Sequence, residues 1–302
     1  MLSIKHITVA FEGKKVLDDL SLTFKLGEIV GLVAPNGTGK STLINVIMNF
    51  LQPQTGSVTF KKIYNYQSKS NEVAMHQQIS TFPEQGDLYD ELSGYEHLVM
   101  FAQMWGNSKH TVDNIITKLQ MSSYVKQKTK TYSLGMKQRL CFAMQLATDT
   151  QVMLMDEVMN GLDPNNMALI SEVLVDLKKQ NKLIIIASHL LDNLETYADR
   201  ILFMDRGKII YQRNKQHLLY EDQFLRASVD NYQRQRILAN LPKEQTSPFT
   251  LKNPQKLLLN ISDYSNSEVS GLLNIFLQEN IQDFQLGKLT LNELYFHYYL
   301  AT

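Results

Sequence analysis

The chain of 302 residues has one cysteine, Cys141, no excess of either charge, and no long hydrophobic run. A single thiol excludes an intramolecular disulfide framework and fits a reducing compartment. Its neighbours Leu140, Phe142 and Ala143 mark it as a core residue rather than a reactive thiol. Lys plus Arg and Asp plus Glu number 30 each. No bulk basic field therefore draws the chain to nucleic acid or an anionic membrane surface, and no nucleic-acid partner is expected. The longest unbroken aliphatic run, Leu183 to Ala187, is of strand length and far short of the ~18–20 residues of a transmembrane helix. From Met1 to Ile7 the sequence alternates like a strand and lacks the apolar core of a secretory signal. The expectation is a cytosolic protein, unless another chain holds it at a membrane. No internal repeat or low-complexity tract is evident, and 44% hydrophobic with 20% charged residues is ordinary globular composition. The length suggests about two domains.

The most informative segment is Ala34-Pro35-Asn36-Gly37-Thr38-Gly39-Lys40-Ser41-Thr42. An apolar run, Glu28 to Val33, precedes it, and Leu43 to Met48 continues it with the apolar stripe of a helix. A glycine loop between a strand and a helix is built to cradle phosphate. Gly37 and Gly39 let consecutive N–H groups turn toward the phosphates, Lys40 supplies a point charge for the β and γ oxygens, and Ser41 offers a hydroxyl to Mg²⁺. The helix N-terminus adds its positive dipole end. One position departs from G-x-x-x-x-G-K-[ST]: Ala34 replaces the first glycine, which disfavours a positive φ there. Taken alone, the segment is open to reading as an ordinary glycine turn.

Around it the pattern is α/β. Residues 2–11 and 15–25 read as strands joined by the turn Glu12-Gly13-Lys14, and Val58 to Ile63 and Ile79 to Phe82 as two more. From Ser93 to about Thr148 the pattern is helical, opening with a Ser93-x-x-Glu96 capping box. Val152 to Met155, Leu183 to Ile186 and Ile201 to Met204 are apolar runs of strand length, separated by helical segments starting near Asp163-Pro164 and Leu190. Such alternation predicts a mostly parallel buried sheet, closed by a hairpin turn at Asp205 to Lys208. The expected domains are 1–211, with a helical subdomain at about 93–148, and an α+β appendage at 212–302. In the appendage, strands are expected at Gln223 to Val229 and Lys256 to Ile261. Pro242, Pro248 and Pro254 punctuate it, and helices follow the capping boxes at Ser265 and Thr290. A split βαβ arrangement is one form it could take.

Three further segments carry chemistry. The strand Val152 to Met155 ends in Asp156-Glu157. At a strand's carboxyl end Asp156 can hold Mg²⁺ through water, while Glu157 orients or deprotonates an attacking water; alone, the pair also reads as a polar turn. Ser133 and Gly135, at the start of an apolar helix in Tyr132 to Arg139, form either an anion site or a plain N-cap. His189 follows a strand, where a lone histidine is more often structural.

These pieces, in this order, resemble the nucleotide-binding subunit of ATP-binding cassette (ABC) transporters over roughly residues 2–211. The resemblance implies a P-loop NTPase fold of ABC type: a mixed sheet core with an N-terminal antiparallel β-subdomain and a helical insert. It aligns Phe11 with the aromatic that stacks on adenine, and Asn36, Gly37, Thr38, Gly39, Lys40, Ser41 and Thr42 with the Walker A loop. Glu84 takes the Q-loop position in place of the usual glutamine. Ser133 and Gly135 stand in the signature motif, here Tyr-Ser-Leu-Gly-Met, and Asp156 and Glu157 match Walker B and the catalytic base. Asp163 closes the D-loop Asn160-Gly161-Leu162-Asp163, and His189 matches the switch histidine. Val158 replaces the proline that often follows the base. By the same resemblance Ser41, Glu84 and Asp156 serve Mg²⁺, and Glu157, His189 and Glu84 serve hydrolysis.

The signature form, the Asn-Gly-Leu-Asp-Pro stretch and the C-terminal appendage look most like bacterial ABC-2 exporters for drugs, antibiotics or peptides. The implied partners are a separate integral membrane permease and a second cassette, because this chain carries one Walker A and one signature. That places the chain at the cytoplasmic face of the membrane. The segment Glu84 to Gly94 is the candidate permease contact, or an ordinary surface loop. Tyr295, Phe296, Tyr298 and Tyr299, at helical spacing, read as packing within the appendage before they read as a partner surface. The alternatives are a module with impaired hydrolysis beside an active partner cassette, and a soluble ABC ATPase outside transport.

Overall fold

The alternating N-terminal segments pair as an antiparallel hairpin of β1 (Leu2–Phe11) and β2 (Lys14–Phe24), from Leu2 opposite Phe24 to Phe11 opposite Lys14. The computed structural model describes residues 1–215, 222–241 and 256–300. It divides into two compact units, Met1–Lys215 and Gln216–Thr302.

In the first unit the wholly buried β3 (Ile29–Val33) runs into the glycine loop and then helix α1 (Lys40–Ile47). β4 (Thr55–Phe60) returns along the free side of β1 to complete a three-stranded antiparallel sheet, β2-β1-β4. This strand lies earlier than the expected Val58 to Ile63. Lys61 and Lys62 take φ values of 52° and 66°, which reverse the chain so that Tyr64 bridges back to Phe60 and leave Ile63 exposed. Helix α2 (Lys69–His76) leads to the short β5 (Ile79–Thr81). The helical stretch holds α3 (Gly94–Met104), α4 (Lys109–Lys118) and α5 (Leu134–Ala147). Ser93 caps α3 with the expected reciprocal bonds to Glu96.

Then β6 (Val152–Asp156), α6 (Pro164–Lys179), β7 (Leu183–Ala187) and α7 (Leu191–Tyr197) alternate, and β8 (Arg200–Asp205) turns into β9 (Lys208–Asn214). The six-stranded sheet has the order β5-β6-β7-β3-β8-β9, parallel except for the final hairpin. Continuous apolar runs rather than alternating ones suit these strands, because both faces of a parallel sheet are covered. Every residue of β3 and β7 is buried, and their side chains join those of β1, β4 and α1 in one core that includes Ile4, Phe60, Leu43, Ile47, Leu154 and Ile185.

The second unit contains β10 (Phe224–Ser228), α8 (Asn231–Ala239), β11 (Lys256–Asn260), α9 (Asn266–Gln278), β12 (Phe284–Gly287) and α10 (Leu291–Tyr295). Its sheet has the order β11-β10-β12 with both pairs antiparallel. Leu225, Ala227, Leu257, Leu259, Ile237, Leu272 and Phe276 form its own core. A split βαβ unit requires a strand parallel to β10 between α8 and β11. That stretch, with Pro242, Pro248 and Pro254, lies outside the described residues. Ser265 and Thr290 cap α9 and α10 as expected. The terminal aromatics Tyr295, Phe296, Tyr298 and Tyr299 are half-buried around a π-helical turn, Phe296–Leu300, with the rings of Tyr295 and Tyr299 4.7 Å apart.

Leu154, fully buried in β6, tests how far the sheet core carries stability. Leu154→Ala is expected to lower the unfolding free energy of the first unit by about 2–5 kcal/mol, read from the shift in urea midpoint.

Candidate nucleotide site

The parallel register brings the carboxyl ends of β3, β6 and β7 side by side, with Leu32 opposite Ala187 and Asp156 opposite Ala187. At these ends lies a cavity of about 250 Å³ lined by Asn36, Gly37, Gly39, Lys40, Ser41, Thr42, Asp156 and Glu157. Six of the eight come from the glycine loop and the start of α1, and two from the end of β6. Residues 115 positions apart thus share one wall: Ser41 Oγ donates to Asp156 Oδ2 at 3.0 Å.

Glycine is required in the loop for a stated reason. Gly39 takes φ 109° immediately before α1, and a Cβ there would meet the Val16 carbonyl oxygen at 2.9 Å. Gly37 likewise has φ 77°. Ala34 is 4% exposed and stays out of the positive-φ region, so the missing first glycine is accommodated. Thr38 Oγ1 donates to the Pro35 carbonyl at 2.7 Å, closing the loop on itself. Lys40 is 9% exposed, and its ammonium donates to the carbonyls of Ala34 and Pro35.

The electrostatics reflect burial. Desolvation holds the Lys40 pKa below the usual lysine range, opposed by attraction to Asp156 and Glu157. Desolvation raises Asp156 above the usual carboxylate range; Glu157 and Glu84 add to this, against the Ser41 hydrogen bond and Lys40. Glu84 sits in exposed backbone after β5, and its backbone N–H is bonded to Asp87 Oδ2 at 3.0 Å. Its charge nonetheless reaches Asp156.

Glu157 stands on the first residue after β6 with φ 53°, in the left-handed region. Its Oε1 is bonded to His189 Nδ1 at 2.8 Å, while Oε2 is buried without a hydrogen-bond partner. A buried carboxylate oxygen without a partner is costly, and such groups are found where function rather than stability sets the arrangement. Three carboxyl groups, Glu84, Asp156 and Glu157, outnumber the one ammonium here, a balance that a divalent cation would complement if a polyphosphate bound. Among the described residues no group of three His, Cys, Asp or Glu forms a protein-only cation cage. Mg²⁺ characteristically uses one or two protein groups together with substrate phosphates, and Ser41 and Asp156 offer that set.

Other expected residues lie apart from the cavity. Phe11, 49% exposed, ends β1 and is outside the lining. Ser133 and Gly135 are also outside it: Ser133 Oγ accepts from the Met136 N–H as the N-cap of α5. Asp163 caps α6 by accepting from the Asn166 N–H at 3.0 Å. The signature and D-loop segments do meet each other, since a Cβ on Gly161 would lie 2.7 Å from Leu134 Cδ2. Within this chain, therefore, the glycine loop, Asp156-Glu157 and His189 converge, and Ser133 and Gly135 stand elsewhere.

Two polar residues beside the site carry no role in the sequence reading. Gln138 is 4% exposed on α5, and its amide Nε2 donates to the carbonyls of Glu157 and Val158, each at 3.0 Å. Gln85 Nε2 donates to Gln138 Oε1 at 2.5 Å. In the sequence Gln138 stands between Lys137 and Arg139, so nothing local marked it as buried.

The ABC transporter family model matches residues 17–160. Over 217 residues the chain is 36% identical to an uncharacterized ABC transporter ATP-binding protein, YhcH, of Bacillus subtilis, covering 71% of this chain and 70% of that one. It is 30% identical to the lantibiotic transport ATP-binding protein SrtF of Streptococcus pyogenes, covering 70% and 90%. With the doxorubicin resistance ATP-binding protein DrrA of Mycobacterium tuberculosis it shares 31% identity, covering 66% and 61%. Among solved structures, an ATP-binding subunit of an ABC transporter superposes with a TM-score of 0.66 at 24% identity, covering 73% of this chain and 92% of that one. The cbiO1 subunit of an ABC transporter complex from Clostridium perfringens gives 0.64 at 25% identity, covering 80% and 95%.

The raised Asp156 pKa has a direct consequence for the nucleotide-free protein. A carboxyl whose folded pKa lies above its unfolded value loses stabilising effect as pH rises between the two, and above both the buried charge is a standing cost. Asp156→Asn keeps an acceptor for Ser41 and removes the charge. It is expected to raise the melting temperature at neutral pH and to leave it little changed at pH values below the unfolded carboxylate pKa, by calorimetry without nucleotide.

Proposed function

This chain belongs to the ABC transporter ATP-binding family and is an ATPase, and from that premise we propose that it powers export through a separate membrane permease. The carrying observation is the Glu157–His189 pair beside the phosphate loop, with Glu157 in the cavity lining and its Oε2 without a hydrogen-bond partner. Relatives named for lantibiotic transport and doxorubicin resistance support the exporter reading. In this reading the translocation path belongs to another chain; among the described residues no helix is long and apolar enough to cross a membrane. The location that follows is the cytoplasmic face of the membrane. The first unit is the ATPase domain and the second an accessory domain; the two units divide after Lys215 rather than at the expected 211, because β9 continues to Asn214.

In this reading the N–H groups of residues 37–42 and the Lys40 ammonium take the triphosphate, Lys40 exchanging the Ala34 and Pro35 carbonyls for β and γ oxygens. Phe11 stacks on the adenine. Ser41 and Asp156, with Glu84 through water, would hold Mg²⁺, which would supply charge neutralisation to the bound phosphates. Glu157 accepts a proton from water as its oxygen bonds to the γ phosphorus and the bond to the bridging oxygen breaks. His189 donates through Nδ1 to Glu157 and keeps that carboxylate aimed. Because Ser133 and Gly135 lie outside the cavity of their own chain, they serve the γ phosphate of a second cassette, and ATP joins the two. Hydrolysis loosens that contact, and alternation between closed and open pairs drives the permease. Glu84 to Gly94 is the segment that meets it.

Glu157→Gln separates binding from chemistry. It is expected to lower kcat by at least about 10²-fold, the usual worth of a general base, while ATP affinity is kept and an ATP-dependent dimer persists on size-exclusion chromatography. A parent protein without ATPase activity even in the presence of its permease contradicts the reading.

A further inference from the structure

The turn that carries Glu157 is conformationally costly. Left-handed backbone at a residue other than glycine is uncommon and persists where surrounding contacts impose it. On its amino side the Glu157 N–H donates to the Ala187 carbonyl at 2.9 Å, tying the turn to the end of β7. On its carboxyl side the carbonyls of Glu157 and Val158 both accept from one side-chain amide, that of Gln138 on α5. Val158 and Met159 are 1% and 2% exposed, so water does not readily replace that donor.

The orientation of the Gln138 amide follows from chemistry. Two backbone carbonyls can only accept, so Nε2 must face them, and Oε1 is left pointing away. Gln85 fills that position with its own Nε2. Gln138 cannot flip without losing both carbonyls and setting its NH₂ against that of Gln85. The link runs from the residue after Glu84, through α5, to the backbone of the proposed base.

We propose that Gln138 is a positioning residue for hydrolysis: its buried amide fixes the backbone turn from which Glu157 projects, and Gln85 locks that amide. The proposal rests on the reading of Glu157 as the base. Gln138 touches neither the cavity nor the reacting atoms and acts only through where it places the carboxylate. Misplacing a catalytic group by an ångström costs rate while ground-state binding by the phosphate loop is untouched.

The test is steady-state ATPase kinetics on the full chain, with binding of a non-hydrolysable ATP analogue and thermal melting measured in parallel. Gln138→Met keeps length and loses both donors; Gln138→Glu keeps an acceptor for Gln85 and sets a carboxylate against two carbonyls. Both are expected to lower kcat by about 10–100-fold, with KM and analogue affinity within about twofold of the parent. Gln85→Ala, at a half-buried position where folding is not at stake, is expected to lower kcat by about 2–10-fold. Added to Gln138→Met it costs nothing more, because both act through one amide. Glu157→Gln is run alongside. If it is inactive while the Gln138 variants and Gln85→Ala hydrolyse at the parental rate, or lose only KM, the positioning role is wrong and the base stands. Should Glu157→Gln keep the parental rate, the base assignment falls and the positioning proposal falls with it. If the Gln138 variants do not fold, a parental kcat for Gln85→Ala overturns the proposal.

Discussion

Parallel pairing of β3 and β6 on either side of β7 is the constraint on which the rest depends. β3 and β7 are buried along their length and β6 up to Asp156, so their backbone groups must be satisfied within the sheet and their register is held by apolar side chains on both faces. With register set, the chain has no freedom in where its strand ends emerge. The glycine loop, Asp156-Glu157 and Ser188-His189 all leave the sheet at the same edge. Without that alignment the Ser41–Asp156 and Glu157–His189 hydrogen bonds could not both form.

The site so assembled is electrostatically unfavourable when it holds no polyphosphate and cation. Burial disfavours the charged forms of both Lys40 and Asp156, and two further carboxylates push the Asp156 pKa upward. Lys40 meets its need with the carbonyls of its own loop. Glu157 leaves one oxygen unmet. Groups of this kind are commonly found where function rather than stability sets the arrangement.

Much of the cassette was legible in the order of residues because its physics is local. A glycine loop between an apolar run and a helix needs positive φ at Gly37 and Gly39, and both have it. Ser93, Asp163, Ser265 and Thr290 cap helices as their spacing implies. The strand at Val58 to Ile63 was misplaced because the reversal at Lys61 and Lys62 uses left-handed residues without the glycine or asparagine that signals one. Ser133 shows the limit of motif reading: inside one chain its hydroxyl is a helix cap.

By itself the sequence determined the class of chemistry: a phosphate loop and two carboxylates at a strand end. Those follow from residue type and short spacing, which act through backbone geometry over a few positions. Tertiary structure decided which oxygen of Glu157 is hydrogen-bonded and which is not, that Glu84 acts on Asp156 through its field, and that Gln138 and Gln85 are bonded to the turn at Glu157. Each of these joins side chains from segments separated in sequence and brought together only by packing of α5 and the sheet, a relation no local pattern encodes.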